Sequence, residues 1–271
     1  MTPTPRPSDD ANPPPSAGSP ASDLAALQRE LAQLQAEFDG FTYAVAHDLR
    51  APLRAVTGFL QAITDDYLGH LPAPAQAYLQ RAVESSSRAQ RMLEALLRLS
   101  RLGRHPVERA ATPLAELVAA ARHEVMREAP GRDVTWRIGP LPVVACDRRL
   151  AQEAITQLLA NAVKFTRRQP NALVEVFVEP DTTPPVLVVR DNGAGFNAAR
   201  AEHLFMPFAR FHGQQDFEGL GAGLAIADKI IRQHGGRLWV ESEEGQGATF
   251  RFTLAPAPDP SPTKNPAFRR G

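Results

Sequence analysis

The chain has 271 residues, of which 43% are hydrophobic and 22% are charged, so it is long enough to bury a sizeable core and is not wholly disordered. Thirty Lys and Arg balance thirty Asp and Glu, which favours neither nucleic acid nor an anionic membrane as a partner. Apolar residues never run unbroken for the roughly 18 positions of a membrane-spanning helix, and the single cysteine, Cys146, excludes an internal disulfide. Both features indicate a cytoplasmic protein without a membrane span.

Prolines crowd both ends of the chain. Residues 1–22 and 256–271 combine proline with Ser, Thr, Ala and Asp and contain few large apolar residues. This composition predicts two disordered tails.

Residues 23–45 carry apolar side chains at alternating spacings of three and four. That spacing predicts the narrow seam of a two-stranded coiled coil, and therefore a homodimer. An ordinary amphipathic helix packed on its own domain is the alternative. The predicted seam consists of Leu24, Leu27, Leu31, Leu34, Phe38, Phe41 and Val45.

The helical pattern continues to Ile63, stops at residues 69–74, and resumes from Leu79 to Leu99. Two long helices joined by a short connection with Gly and Pro form a hairpin, and two hairpins close a four-helix bundle. We therefore expect residues 38–104 to be an all-α dimerisation hairpin.

A second domain is predicted at residues 110–255, with a boundary near 104–112. Helices that cover one side of a mostly antiparallel sheet make an α+β sandwich. Helices are predicted at 114–126, 147–165 and 222–233, and strands at 134–138, 173–178, 186–190, 237–241 and 248–254.

Two glycine clusters stand out in this second domain. The first, with Asp191, Gly193 and Gly195, follows a strand, and the second, with Gly219, Gly221 and Gly223, precedes a helix. Glycines before a helix let free amides approach a phosphate, and a carboxylate after a strand can accept a hydrogen bond from the amine of adenine. Either cluster alone is also compatible with a tight turn.

A polar pair lies on the helix predicted at 147–165. Asn161 and Lys164 are three residues apart and share a face, and an amide oxygen and an ammonium suit a triphosphate with its Mg²⁺. A solvated polar face would explain Lys164 but not an asparagine among apolar residues.

Together these segments resemble the sequence boxes of the sensor histidine kinases. Their residues are most similar to those of the phytochrome-like branch. His47-Asp-Leu-Arg-Ala-Pro-Leu53 is similar to the phosphoacceptor H box. The stretches similar to the N, G1, F and G2 boxes are 161–166, 191–195, 204–208 and 219–224. The resemblance implies that the α+β sandwich is an ATPase domain of the GHKL type.

The resemblance also implies a reaction. His47 would be autophosphorylated from ATP with Mg²⁺, Asp48 would orient the imidazole or act as general base, and the phosphoryl group would pass to an aspartate in the receiver domain of a response regulator. The implied nucleotide-binding residues are Asn161 (also the Mg²⁺ ligand), Lys164, Asp191, Gly193, Gly195, Phe205, Phe208, Arg210, Gly219, Gly221, Gly223 and Leu224. The remaining histidines are predicted to be surface or structural residues: His70, His105, His123, His203, His212 and His234.

The chain departs from the family pattern at several positions. Gln157 replaces the first asparagine of the N box, and Leu220 and Ala222 stand in the second glycine box where a hydroxyl contact is lost. Four residues after His47 the family often has Thr or Asn, whose side chain positions water for dephosphorylating the regulator. Ala51 stands there instead, which predicts weak phosphatase activity.

Two other functions are compatible with parts of the pattern. A catalytically weak dimeric scaffold would keep the fold and bind nucleotide or a response regulator; Gln157 and Leu220 favour it, whereas the retained His47 and Asp48 do not. A chaperone or mismatch-repair ATPase would share the nucleotide-binding sandwich but lacks the hairpin. We recognise no sensor domain before the coiled coil, so the signal is expected to enter from elsewhere. Either residues 24–45 dock on, or continue into, a separate input, or the chain is a fragment of a longer protein.

Overall fold

A computed structural model describes residues 20–102, 106–197, 203–209 and 219–254. The predicted tails therefore lie almost wholly outside the described residues. The chain divides into two compact units, Met1–Phe41 and Thr42–Gly271.

The described part of the first unit is the beginning of helix α1, which runs Pro20–Tyr67. The helix starts within the segment predicted as a tail, because proline is tolerated in a first turn, where its missing N–H has no intrahelical acceptor. The apolar residues of the predicted seam are exposed to solvent in the single chain. Their exposed fractions are 57% for Leu24, 63% for Leu27, 57% for Leu31, 56% for Leu34, 69% for Phe38, 69% for Phe41 and 40% for Val45.

The second unit opens with the rest of α1, a 3₁₀ turn at Leu68–His70 and helix α2 at Ala73–Arg101, which form the predicted hairpin. The side chain of Gln76 closes the turn by donating hydrogen bonds to the carbonyls of Leu68 and Leu71 at 3.1 and 2.9 Å. Further from this turn, the hydroxyls of Thr57 on α1 and the buried Ser86 on α2 lie 2.7 Å apart. This hydrogen bond joins the two helices.

After the hairpin the chain folds as helices against a sheet, which confirms the predicted α+β class. The helices are α3 (Leu114–Glu128), α4 (Arg148–Phe165) and α5 (Gly223–Gln233). The strands are β1 (Ala110–Pro113), β2 (Thr135–Ile138), β3 (Val143–Cys146), β4 (Leu173–Val178), β5 (Leu187–Asp191), β6 (Leu238–Glu243) and β7 (Gly247–Phe252).

The main sheet has the order β2-β4-β5-β7-β6. Strands β2 and β4 are parallel, and the other neighbours are antiparallel. Strands β1 and β3 form a separate antiparallel pair, which the sequence patterns do not predict. Apolar side chains of α3, α4 and α5 pack with those of the sheet into one core, and Phe252 and Ile155 are among its fully buried members.

His234 is a buried structural residue at the end of α5, as predicted. Its Nε2 accepts a hydrogen bond from the backbone N–H of Asp147 at 3.0 Å, so the ring proton is on Nδ1, which donates to the carbonyl of Ile230 at 2.8 Å. The Asp147 side chain in turn caps α4 by accepting from the N–H of Leu150 at 3.0 Å. His234 thus ties the end of α5 to the start of α4.

The other histidines that were predicted to be surface or structural residues differ from His234. His70, His123 and His203 are exposed, whereas His105 and His212 lie outside the described residues. Of the helices that the structure describes, none is long and apolar enough to cross a membrane.

Candidate functional site

His47 lies on α1 with its imidazole largely in solvent, at 57% exposure. Its Nδ1 is 3.2 Å from Oδ1 of Asp48, and Tyr43, one helical turn earlier, stacks beside the ring at a centroid separation of 6.0 Å. With the ring proton on Nδ1 this nitrogen donates to the carboxylate, which leaves the lone pair of Nε2 directed away from Asp48. The predicted phosphoacceptor is therefore accessible and is oriented by its neighbour.

Pro52 modifies the helix one turn after His47. A proline has no N–H, so the intrahelical hydrogen bond that would close on the carbonyl of Asp48 is absent. The helix nevertheless continues to Tyr67.

A cavity of about 540 Å³ lies between α4, the end of β5 and the start of α5. It brings together eight of the residues predicted to bind nucleotide. They are Asn161, Lys164, Asp191, Gly195, Gly219, Gly221, Gly223 and Leu224.

Asp191 is the buried carboxylate of this cavity, with 4% exposure. Burial raises its pKa to about 6, and hydrogen bonds from the backbone N–H groups of Gly193 and Ala248 act in the opposite direction. The Gly193 bond is 2.8 Å long. Near neutral pH the group is mostly a carboxylate with few competing donors, which suits it to accept a hydrogen bond from a ligand.

The second glycine cluster, with Gly219, Gly221 and Gly223, also lines the cavity. Gly221 has φ +76°, and a side chain there would collide with the carbonyl of Ala209; its own carbonyl accepts from the N–H of Phe208 at 2.9 Å. A side chain at Gly223 would collide with the amide of Gln157. Helix α5 begins at Gly223 without a side-chain cap, so its first amides point towards the cavity with the positive end of the helix dipole.

Three side chains of α4 line the cavity one turn apart: Gln157, Asn161 and Lys164. The ammonium of Lys164 lies 4.2 Å from the centroid of the Phe165 ring, and a Cβ on Gly219 would be 3.3 Å from it. Gln157 is longer than the asparagine that the family pattern has at this position. Its amide lies at the cavity wall, beside the start of α5.

The donor set of the cavity fits Mg²⁺ bound together with a phosphate ligand. Among the residues that the structure describes, no group of three or more His, Cys, Asp and Glu could hold a metal ion. A hard cation here would take one oxygen from Asn161 and the others from phosphate and water, which is the usual arrangement for Mg²⁺.

Four predicted nucleotide-binding residues are not among the described residues that line the cavity. Gly193 lies behind Asp191 and holds it, and Arg210 is outside the described residues. Phe205 packs against the core, and Phe208 lines a separate apolar groove of about 530 Å³ between the hairpin helices. Among the described residues their rings pack against apolar neighbours, and the contact of either phenylalanine with nucleotide stays a prediction.

The structure adds cavity residues that the sequence patterns missed. Ala248 and Phe250 of β7 line it because the register pairs Ala248 with Asp191; the strand was predicted, but its pairing partner was not. Glu128 at the end of α3 and Arg91 of α2 also line it, and no local pattern marks either of them.

Comparison with known proteins identifies both parts of this arrangement. Residues 39–105 match the family model of the His Kinase A (phospho-acceptor) domain, and residues 146–258 match that of the histidine kinase-, DNA gyrase B- and HSP90-like ATPases. The chain belongs to the sensor histidine kinase family. The predicted H box and glycine boxes of this histidine kinase lie within those two matches.

Relatives and a solved structure agree with this assignment. Cyanobacterial phytochrome B of Nostoc sp. is 37% identical over 241 residues, which cover 86% of this chain and 31% of the relative. The methanogenesis regulatory histidine kinase FilI of Methanothrix harundinacea is 35% identical over 234 residues, covering 84% and 26%. The crystal structure of full-length ShkA in complex with AMPPNP superposes with a TM-score of 0.58 at 25% identity, covering 80% of this chain and 46% of that one. The chain thus spans 26–31% of the length of these two curated relatives.

Proposed function

We propose that this chain phosphorylates itself on His47 from ATP and passes the phosphoryl group to an aspartate of a separate response regulator. The observation that carries the proposal is the exposed imidazole of His47, whose Nδ1 lies 3.2 Å from Asp48. In the same chain, the cavity holds a buried carboxylate, a glycine-lined helix start and a lysine. A nucleophile and a nucleotide site are the two parts that this reaction needs.

The chemistry at His47 follows from its hydrogen bond. Nε2 forms a bond to the γ-phosphorus, the bond from that phosphorus to the β–γ bridging oxygen breaks, and ADP leaves. The growing positive charge on the ring is stabilised by Asp48, which accepts the proton of Nδ1 as a hydrogen bond or takes it. In the second step the N–P bond breaks and an aspartate oxygen of the regulator takes the phosphoryl group.

The cavity residues would bind the nucleotide by the same rules. Asp191 would accept a hydrogen bond from the adenine amine, and Lys164 and the first amides of α5 would neutralise phosphate charge. Mg²⁺, when bound, reduces the charge on the phosphates, and Asn161 would hold it. The likeness to ShkA, crystallised with AMPPNP, and the ATPase family match support this assignment.

We further propose that the chain works as a homodimer. The His Kinase A match covers the hairpin, and the seam residues of α1 are 40–69% exposed in the single chain. Apolar residues repeated at this spacing are covered when a second helix packs on them.

Labelling with γ-³²P ATP and Mg²⁺ tests the proposed reaction. We expect wild type to take up label that is lost in acid and kept in base, as a phosphoramidate is, and His47→Gln and Asn161→Ala to take up none. His70→Gln, which removes another exposed histidine of the hairpin, should label like wild type. Nucleotide binding without any label in wild type would contradict the proposal and favour a scaffold.

A further inference from the structure

Arg91 of α2 belongs to the hairpin, yet its side chain lines the nucleotide cavity of the ATPase fold. The residue is exposed. Within the described part of the chain it makes no hydrogen bond or ion pair, unlike Arg88 one turn earlier. A guanidinium that lines a cavity without a protein partner is available to an anionic ligand.

An ion pair nearby explains how a hairpin residue comes to this cavity. Arg98 of α2 makes two hydrogen bonds to the carboxylate of Glu153 on α4, one of them from Nε to Oε1 at 2.7 Å. Both side chains are more than two-thirds buried, so the contact is only partly open to solvent and holds α2 beside α4.

Arg91 and Asn161 lie at similar distances along their helices from the Arg98–Glu153 ion pair. Arg91 lies seven residues before Arg98, about 10 Å along α2, and Asn161 lies eight residues after Glu153, about 12 Å along α4. Seven residues are close to two whole turns, so Arg91 shares a face with Arg98, whereas eight residues are about 2.2 turns, so Asn161 lies on the same broad side of α4 as Glu153 but is offset by about 80° around the axis. The ion pair holds α2 beside α4, and Arg91 lines the same cavity as Asn161 and Lys164, the proposed Mg²⁺ and phosphate ligands.

We propose that Arg91 binds the phosphate groups of the nucleotide, an inference that rests on the proposed ATP site. The ligand chemistry is a polyphosphate, because a planar guanidinium donates two parallel hydrogen bonds to phosphate oxygens. Lys164 on α4 supplies a point charge in the same cavity. Bound nucleotide then contacts both the hairpin and the ATPase fold, and its phosphates favour the arrangement in which α2 lies beside α4.

Calorimetric titration of ATP and of adenosine tests Arg91 directly. In a His47→Gln background, which prevents phosphoryl transfer during the titration, we expect Arg91→Gln to raise the Kd for ATP about tenfold, as for the loss of a charged hydrogen bond. The Kd for adenosine, which has no phosphate, should stay within twofold. Arg91→Lys should fall between wild type and Arg91→Gln for ATP. The matched control is Arg81→Gln, an exposed arginine of the same helix that is not among the cavity residues, and it should change neither Kd.

The outcomes separate this inference from the proposed function. If wild type binds ATP and labels His47 while Arg91→Gln binds ATP as tightly as wild type, the role of Arg91 is wrong and the kinase assignment is unaffected. Equal weakening of ATP and adenosine would also overturn it, since that would mean that Arg91 supports the cavity and does not contact phosphate. Failure of wild type to bind ATP at all would overturn both proposals.

Discussion

At the scale of single residues, the hydrogen bonds of an imidazole decide what it can do. His234 uses both ring nitrogens inside the protein, with Asp147 donating to Nε2 and Nδ1 donating to Ile230, so no lone pair is left for chemistry. Among the described residues, His47 engages only Nδ1, with Asp48, and its ring is exposed. The two residues are alike in type, but the surroundings of His234 make it structural, whereas those of His47 suit the proposed role of nucleophile.

The buried carboxylate of Asp191 predicts a pH dependence of adenine binding. Its pKa of about 6 belongs to the free protein, and a donor from adenine favours the ionised form, so the pKa is lower in the complex. Binding then requires loss of a proton below pH 6. We expect the affinity for adenosine to be flat above about pH 7 and to fall by up to tenfold for each pH unit below about 6. Titration followed by NMR at several pH values measures this, with adenosine used because it has no titrating phosphate.

Asp191→Asn is the control for that experiment. The amide does not titrate, and it replaces an anionic acceptor with a neutral one, so adenosine should bind more weakly at pH 8, by about tenfold, and with no dependence on pH between 5 and 8. An unchanged slope in this variant would mean that a different group titrates.

The identity of residue 51 is predicted to affect how fast the kinase dephosphorylates its response regulator. It is exposed one turn after His47, where a hydroxyl could hold a water molecule towards the phosphorylated aspartate of a docked regulator. We expect Ala51→Thr to speed dephosphorylation of a regulator that the kinase has phosphorylated by several-fold, measured as loss of label with time. Ala55→Thr places the same side chain one turn further on and should have no effect; rapid dephosphorylation by wild type would contradict the prediction.

At the scale of elements, the sequence patterns predict the helices and the strands of the main sheet and miss the separate pair β1 and β3. Helix α4 is predicted at 147–165 and observed at Arg148–Phe165, because an apolar face repeated over five turns is a local signal. Strands β1 and β3 have four residues each and pair across α3 and β2. That pairing depends on the tertiary fold, so no short-range pattern contains it.

At the cavity, too, local patterns were predicted and contacts between distant segments were not. The glycine clusters and the pair Asn161 and Lys164 were predicted because each forms a local pattern with a chemical purpose. The pairing of Ala248 with Asp191 and the approach of Arg91 to the cavity depend on how distant segments pack. The contact of Phe208 with the apolar groove depends on packing in the same way, and its predicted contact with nucleotide stays a prediction.

The ion pair Arg98–Glu153 predicts a measurable coupling between α2 and α4. It is bidentate and only 24–29% exposed at its side chains, so it lies between a surface pair and a buried one. A double-mutant cycle of Arg98→Gln and Glu153→Gln should give a coupling energy of about 1–2 kcal/mol, measured by urea unfolding. The pair Arg148–Glu116 joins α4 to α3 with both side chains more than half exposed, and its cycle should give less than about 1 kcal/mol. Equal coupling in the two cycles would mean that burial adds nothing at Arg98.

At the scale of the whole molecule, the seam of α1 predicts how the chain assembles. Leu31 is 57% exposed in the single chain, and a dimer of the proposed kind buries it against a second α1. Leu31→Glu would place an unpaired carboxylate in that interface, which costs several times the thermal energy. We expect sedimentation equilibrium to show dimerisation weakened at least tenfold.

Ala36→Glu is the matched control for the seam. It introduces the same side chain five residues later on α1, and in a seam that contains Leu31, Leu34 and Phe38 this position is outermost, away from the partner helix. Dimerisation of this variant should equal that of wild type, because its carboxylate stays in water. Equal weakening by both substitutions would mean that negative charge on α1, and not burial of the seam, controls assembly. No weakening by Leu31→Glu would place the dimer contacts in the hairpin alone, and the exposed residues from Leu24 to Val45 would then need another partner.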